Sequence, residues 1–232
     1  MTWQIFPVSR FSELATQWDG LQAQCSKLPF LESLFLAPLL QEFSTGQEVI
    51  AVDVRHSVWH AAAILTPRRL GAWETFQPSQ LPLGAWVGPK DSMASPHWVE
   101  EISGLYGALP GVCLSVGLTQ LDSRFHPRPA DTSAKQTMDY IDTAWVDVNQ
   151  TFDAYWEQRG KNLKQNCRKQ RNKLELDGVN ATLECIQTPQ EVAQAMVDYG
   201  SLEGAGWKAA NGTAVLPGNA QGRFYRAMLE NF

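Results

Sequence analysis

The run EVIAVDVRHSVWHAAAILT (48–66) constrains the fold more than any other stretch of the chain. Its first half is rich in β-branched residues, its second half is mostly apolar, and His56-Ser57 lies between them. That pattern reads as two strands joined by a tight turn. Two such strands cannot bury both faces alone, so further strands and covering helices are required. The flanking sequence supplies them. Trp3, Ile5 and Phe6 read as a strand, and Leu14, Trp18, Leu21 and Cys25 recur at helical spacing. Leu31, Leu34, Phe35, Leu39 and Phe43 mark a second helix that Thr45-Gly46 ends. A Trp/Pro/Gly-rich stretch (72–90) reads as a short strand with loops. Pro96 opens a helix to about Tyr106, VCLSVGL (112–118) is a buried strand, and TMDYIDTAWVDV (137–148) is one strand more. The order βααβββαβ plus a strand predicts an α/β (α+β) mixed sheet with helices on both faces.

The character changes after residue 150, which sets the expected domains at 1–150 and 151–232. Phe152, Tyr155 and Trp156 form a short helical patch ending at Gly160, and a basic helix follows over 161–176. Residues 179–187 read as a strand. Thr188-Pro189-Gln190-Glu191 is a strong helix start, and Val192, Ala195, Met196 and Tyr199 fill that helix's apolar stripe. A glycine-rich loop (203–218) leads to a last helix from near Asn219, with Phe224, Tyr225, Met228, Leu229 and Phe232 on one face. A single strand cannot receive two amphipathic helices. Either they pack onto the first domain or their own sheet is missing. The last helix ends in mid-pattern, so the expectation is the second: an incomplete, C-terminally truncated second domain. Its exposed apolar face would then favour self-association.

The composition, 44% hydrophobic and 19% charged, is that of a folded protein. Residues 1–150 carry 9 Lys+Arg against 15 Asp+Glu, and residues 151–232 carry 10 against 9. A net charge of −5 argues against a general nucleic-acid binder. No apolar run reaches the ~18 residues of a membrane span, and the N-terminus lacks the features of a secretory signal. Cys25, Cys113, Cys167 and Cys185 contain no CxxC, so neither a metal site nor a disulfide scaffold is expected, and reduced cytoplasmic thiols are.

Three segments carry a family resemblance: NLKQNCRKQRNKLELDGV (162–179), SLEGAGWKAANGTAV (201–215) and RFYRAML (223–229). A basic helix closing on glycine, a Glu…Gly-Trp-Lys…Gly-Thr loop and a Phe-Tyr-Arg helix appear in that order. They resemble the GNAT-like acetyltransferase domain of CelD-type cellulose-biosynthesis proteins, related to the FemAB peptidyltransferases. Residues 29–31 and 69–71 resemble the N-terminal half of such proteins loosely. The resemblance implies a tandem GNAT-like architecture and transfer of an acyl group from acyl-CoA to an amine or hydroxyl. The acceptor would be a small molecule or a precursor of a cell-surface polysaccharide. In that family a later turn holds the cofactor pyrophosphate with exposed backbone amides. Its nearest imitation here is Arg68-Arg69-Leu70-Gly71-Ala72, which is weak, so the cofactor-binding residues stay unassigned.

Within this frame Glu203 is the candidate general base, since direct transfer from a thioester needs a proton acceptor near the attacking group. Trp207 is placed to floor a substrate groove and Lys208 to hold a carboxylate or phosphate. The alternative is that Trp207 anchors a loop and the charges are solvated. Lys161, Lys164, Arg168 and Arg171 form one helical stripe beside Leu163, Cys167 and Leu174. Lys164, Arg168 and Arg171 are candidate binders of a CoA phosphate, a tRNA acceptor end or an anionic polymer, against a plain solvated face. His56, His60, His97 and His126 lack ligand spacing and read as structural or exposed. Two rivals stand beside the acyl-CoA reading: an aminoacyl transferase using charged tRNA, and a non-catalytic remnant or binding module.

Overall fold

The structure, a computed structural model, describes residues 2–90, 92–95 and 97–232. It opens with strand β1 (Thr2–Pro7), helix α1 (Phe11–Cys25) and helix α2 (Ser33–Phe43). A hairpin of β2 (Val49–Arg55) and β3 (Val58–Pro67) follows, then β4 (Ala72–Thr75), β5 (Trp86–Val87), helix α3 (Trp98–Ala108) and β6 (Ser115–Gly117). The hairpin turns at His56-Ser57, both at positive φ (50° and 65°), the geometry that matches the twist of flanking strands. Pro96, expected to open the third helix, lies outside the described residues.

The strands form one mixed sheet in the order β1-β2-β3-β4-β6. Every pair is antiparallel except β4 with β6, which is parallel. β5 pairs with Ala62 and Ala63 of β3, taking over from β4, which pairs with Leu65, Thr66 and Pro67. Alternation along β2 and β3 sorts the two faces. Ile50, Val52, Ala62 and Ile64 pack under α1 and α2 with Phe11, Leu14, Trp18, Leu36 and Leu39. Val49, Ala51, Ala63 and Leu65 pack with Trp3, Trp86 and the α3 residues Trp98, Ile102 and Leu105. Trp18 is fully buried, and its indole N–H donates to the Leu31 carbonyl at 2.7 Å. Asp19 accepts from the Ser33 amide at 2.7 Å, satisfying a free N–H at the start of α2.

The chain continues with α4 (Phe152–Glu157), α5 (Lys161–Leu176), α6 (Pro189–Gly204), the single turn α7 (Trp207–Ala210) and α8 (Ala220–Asn231). Two compact units result: Met1–Asp139 with Thr188–Phe232, and Tyr140–Gln187. The division does not fall at residue 150. Of the two arrangements the sequence leaves open for the C-terminal helices, the structure shows them packed onto the first core. Phe224 is fully buried among Phe35 and Phe43 of α2, with ring centroids 5.3 and 5.9 Å away in edge-to-face geometry. Val192 and Met196 of α6 close over Val215 and Tyr225. On the apolar face of 219–232, Phe224 is buried and Tyr225 and Met228 are half-buried, while Leu229 and Phe232 stay 45% and 58% exposed. An amphipathic pattern records that a face is apolar and not which surface covers it.

Two expected strands are absent. Residues 137–148 and 179–187 have no ladder partner among the described residues. Their β-branched and aromatic content suits a half-buried pleated surface, and without a neighbouring strand nothing fixes them as one.

Candidate functional site

Helix α6 brings Glu203 to its last turn, one turn after Tyr199, so the two side chains share a face. The Tyr199 hydroxyl donates to Glu203 Oε1 at 2.6 Å. Lys208 Nζ, reached through α7, donates to the same oxygen, and the Val215 amide donates to Oε2 at 2.8 Å. The loop that closes this arrangement turns at Gly212, whose φ is 66°. The expected glycine-rich loop is thus partly helical: α6 runs to Gly204 and α7 follows. Thr188 is the N-cap residue of α6, but its hydroxyl donates to Glu191 Oε2 at 2.6 Å and makes no hydrogen bond to a backbone amide of the first turn.

Hydrogen bonds from Lys208, then from Tyr199 and from the Val215 amide, lower the Glu203 carboxyl from its ordinary 4.5 to about 2. The same contacts raise the Lys208 ammonium and the Tyr199 phenol, so both stay protonated at neutral pH. A carboxylate saturated by three donors is a weak proton acceptor. In this geometry Glu203 holds Lys208 and Tyr199 in place, and it acts as a base only if they release it. Trp207, 72% exposed, stands on α7 immediately before Lys208.

This carboxylate gives a pH prediction. A lowered folded pKa adds stability that is complete above the unfolded value of 4.5 and is lost as pH falls towards about 2. The difference in melting temperature between the native chain and Glu203→Gln should be constant from pH 7 to about 5 and vanish near pH 2. A gap that persists unchanged at the acid end would contradict it.

Glu203, Lys208 and Trp207 are thus brought together. Lys164, Arg168 and Arg171 lie in the other compact unit, along one stripe of α5, which has no buried residue. Lys164 Nζ donates only to the Glu157 carbonyl, at 2.8 Å.

Two candidate cradles for the CoA pyrophosphate do not fit it. The Arg68–Ala72 turn is tight, with Leu70 and Gly71 at positive φ, and it leads into β4, so no helix N-terminus stands behind its amides. Helix α3 carries Glu100 and Glu101 in its first turn, where their charge opposes an anion. At the end of β4, Thr75 shares a hydrogen bond with Thr119 at 2.7 Å, and Gln77 beyond it donates to Gln120 at 2.5 Å.

One polar cluster escaped the sequence reading. Asp53, 1% exposed on β2, accepts from Arg55 Nε at 2.7 Å, and Arg55 Nη2 reaches Glu101 Oε2 on α3 at 2.9 Å. His60 Nδ1 lies 3.6 Å from Asp53 Oδ2, while Asp53 Oδ1 is buried without a partner among the described residues. An aspartate at an inward position of VIAVDVR was the available signal. Burial, opposed by Asp122, lowers the His126 imidazole below its ordinary value and keeps it neutral, in line with a structural histidine.

Among the described residues no cluster of His, Cys, Asp or Glu is arranged to hold a metal ion, and no helix is long and apolar enough to cross a membrane. No family model, curated protein or solved structure matches the chain.

Proposed function

We propose that the chain is a GNAT-type acyltransferase that moves an acyl group from acyl-CoA to an amine or hydroxyl acceptor, with the acceptor side of its site on the Glu203–Val215 loop. The observation that carries this reading is the constellation on the Glu203–Val215 loop. The residues of the resembling Glu…Gly-Trp-Lys…Gly-Thr segment converge there: Glu203 on Lys208, with Trp207 exposed beside them. The order of elements over 2–117 agrees in part: strand, two helices, four strands, helix and strand stand where the sequence predicts βααβββαβ. Acyl-CoA would be the co-substrate. Neither the Arg68–Ala72 turn nor the start of α3 fits its pyrophosphate, so no step is derived through it.

On the acceptor side, Trp207 offers a flat apolar face and Lys208 a cation for a carboxylate or phosphate. The attacking nitrogen or oxygen must lose a proton as its bond to the acyl carbon forms. Glu203 becomes available for that proton when an acceptor draws Lys208 away. Thiol release from acetyl-CoA, measured with amino-sugar, polyamine and hydroxyl acceptors, tests the reading. The expected result is slow release above the uncatalysed rate, without saturation at micromolar acetyl-CoA, and abolished by Glu203→Gln. No release with any acceptor at millimolar acetyl-CoA would sink the catalytic reading.

A second reading, a non-catalytic binding module, is favoured by the saturation of Glu203 and by the exposed apolar residues between 138 and 152.

A further inference from the structure

Residues 140–187 carry balanced but sharply segregated charge. Over 140–157 there are four Asp and Glu and no Lys or Arg, and over 158–174 there are seven Lys and Arg and no Asp or Glu. The acidic part is also the most apolar exposed stretch: Tyr140, Ile141, Trp145, Val146, Val148 and Phe152 are each more than half exposed. Val146, Val148, Phe152 and Tyr155 line an open groove of about 380 Å³ that includes Asp147. The backbone over 140–150 has no ladder partner among the described residues.

The basic part, α5, is a 16-residue helix with no buried residue. Helices of this length are marginal in water without a packed face, and like charges such as Lys164 and Arg168 at i,i+4 weaken it further. Its seam of Leu163, Cys167 and Leu174 lies beside the cationic stripe, half-buried or exposed. α5 therefore lacks an apolar and an anionic partner at once. A nucleic acid supplies only the charge. Segment 140–157 supplies both, yet within one chain no ion pair joins it to α5 among the described residues.

We propose that this unit is an isologous docking surface for a second copy of the chain, with the acidic apolar segment 140–157 of each copy laid against α5 of the other. Each copy carries both halves, so two contacts form about one two-fold axis and the assembly closes as a dimer. The apolar side chains give the buried area, and the segregated charges set orientation and exclude the parallel arrangement.

Sedimentation velocity and light scattering on the full chain test this. The native chain should be dimeric in about 50 mM salt and dissociate as salt screens the pairing. Arg168→Glu with Arg171→Glu should be monomeric, as should Asp142→Lys with Asp147→Lys. All four positions lie on the surface, so circular dichroism should show both variants folded. Mixing the two variants should restore association, because the unaltered 140–157 segment of one variant then faces the unaltered α5 of the other. A native chain that stays monomeric at low salt overturns the proposal, as does a mixture that fails to associate. A monomer that is retarded by tRNA instead would assign α5 to nucleic acid.

Discussion

Phe224→Ala is expected to lower the stability of the unit that contains it by about 3–5 kcal/mol, the range for removing a fully buried phenylalanine. The ring has no exposed surface and meets Phe35 and Phe43 edge-on, so its removal leaves a cavity between α8 and α2 that neither helix fills without moving. Phe224 is also the main apolar tie of α8 to the sheet's first face. The Arg223–Glu42 ion pair beside it has a half-exposed guanidinium and adds little. A urea midpoint that falls with an unchanged slope would show the loss as stability. A shift below about 1 kcal/mol would mean that α8 is not part of the core.

Gly222→Ala should be of similar severity for a different reason. A Cβ there would stand 1.8 Å from the Leu216 carbonyl oxygen and 2.5 Å from its carbon, both backbone atoms. The first turn of α8 would have to lift, breaking the Asn219 cap on the Gly222 amide at 2.9 Å. The expected cost is about 3 kcal/mol or more, the upper end for overpacking. Gly20→Ala is the control. It lies inside α1 with nothing within 4 Å of the added methyl, and it should stabilise by roughly 0.5–1 kcal/mol. Equal effects at the two glycines would contradict the close approach at 222.

Much of the first 120 residues is readable because its signals are local, but VCLSVGL (112–118), expected as a buried strand, gives only the three-residue β6, with Val112 and Leu114 exposed. The β2–β3 hairpin, the helical spacing of α1 and α2 and the turn at His56-Ser57 each follow from residues near one another in the chain. The bounds of α5, α6 and α8 were readable for the same reason. The partners of α6 and α8 were not. Phe224 meets Phe35 across nearly 190 residues, and no pattern within α8 encodes that distance. The opposite error occurred at 137–148 and 179–187, where strand-forming residues suggested strands with no neighbour to pair with.

The site was legible as a set of residues and not as an electrostatic arrangement. Glu203, Trp207 and Lys208 stood out by type and spacing. Tyr199 was assigned to an apolar stripe, although its place one turn before Glu203 puts its hydroxyl on that carboxylate. The Val215 amide, the third donor, is a backbone group and invisible to side-chain reasoning. Together they turn a candidate base into a tethered carboxylate. The Asp53–Arg55–Glu101 cluster needed the docking of α3 on the sheet beside β1 before its members met.

The central claim is that residues 188–232 complete the core built by the N-terminal sheet, while 140–187 is a separate unit. Native-state hydrogen exchange of the unaltered chain tests it most directly. The prediction is that amides of α8 around Phe224 exchange only with global unfolding, as slowly as those of β2 and β3, while 140–150 exchanges within the fastest class. Amides of α8 that exchange as fast as those of 140–150 would contradict it.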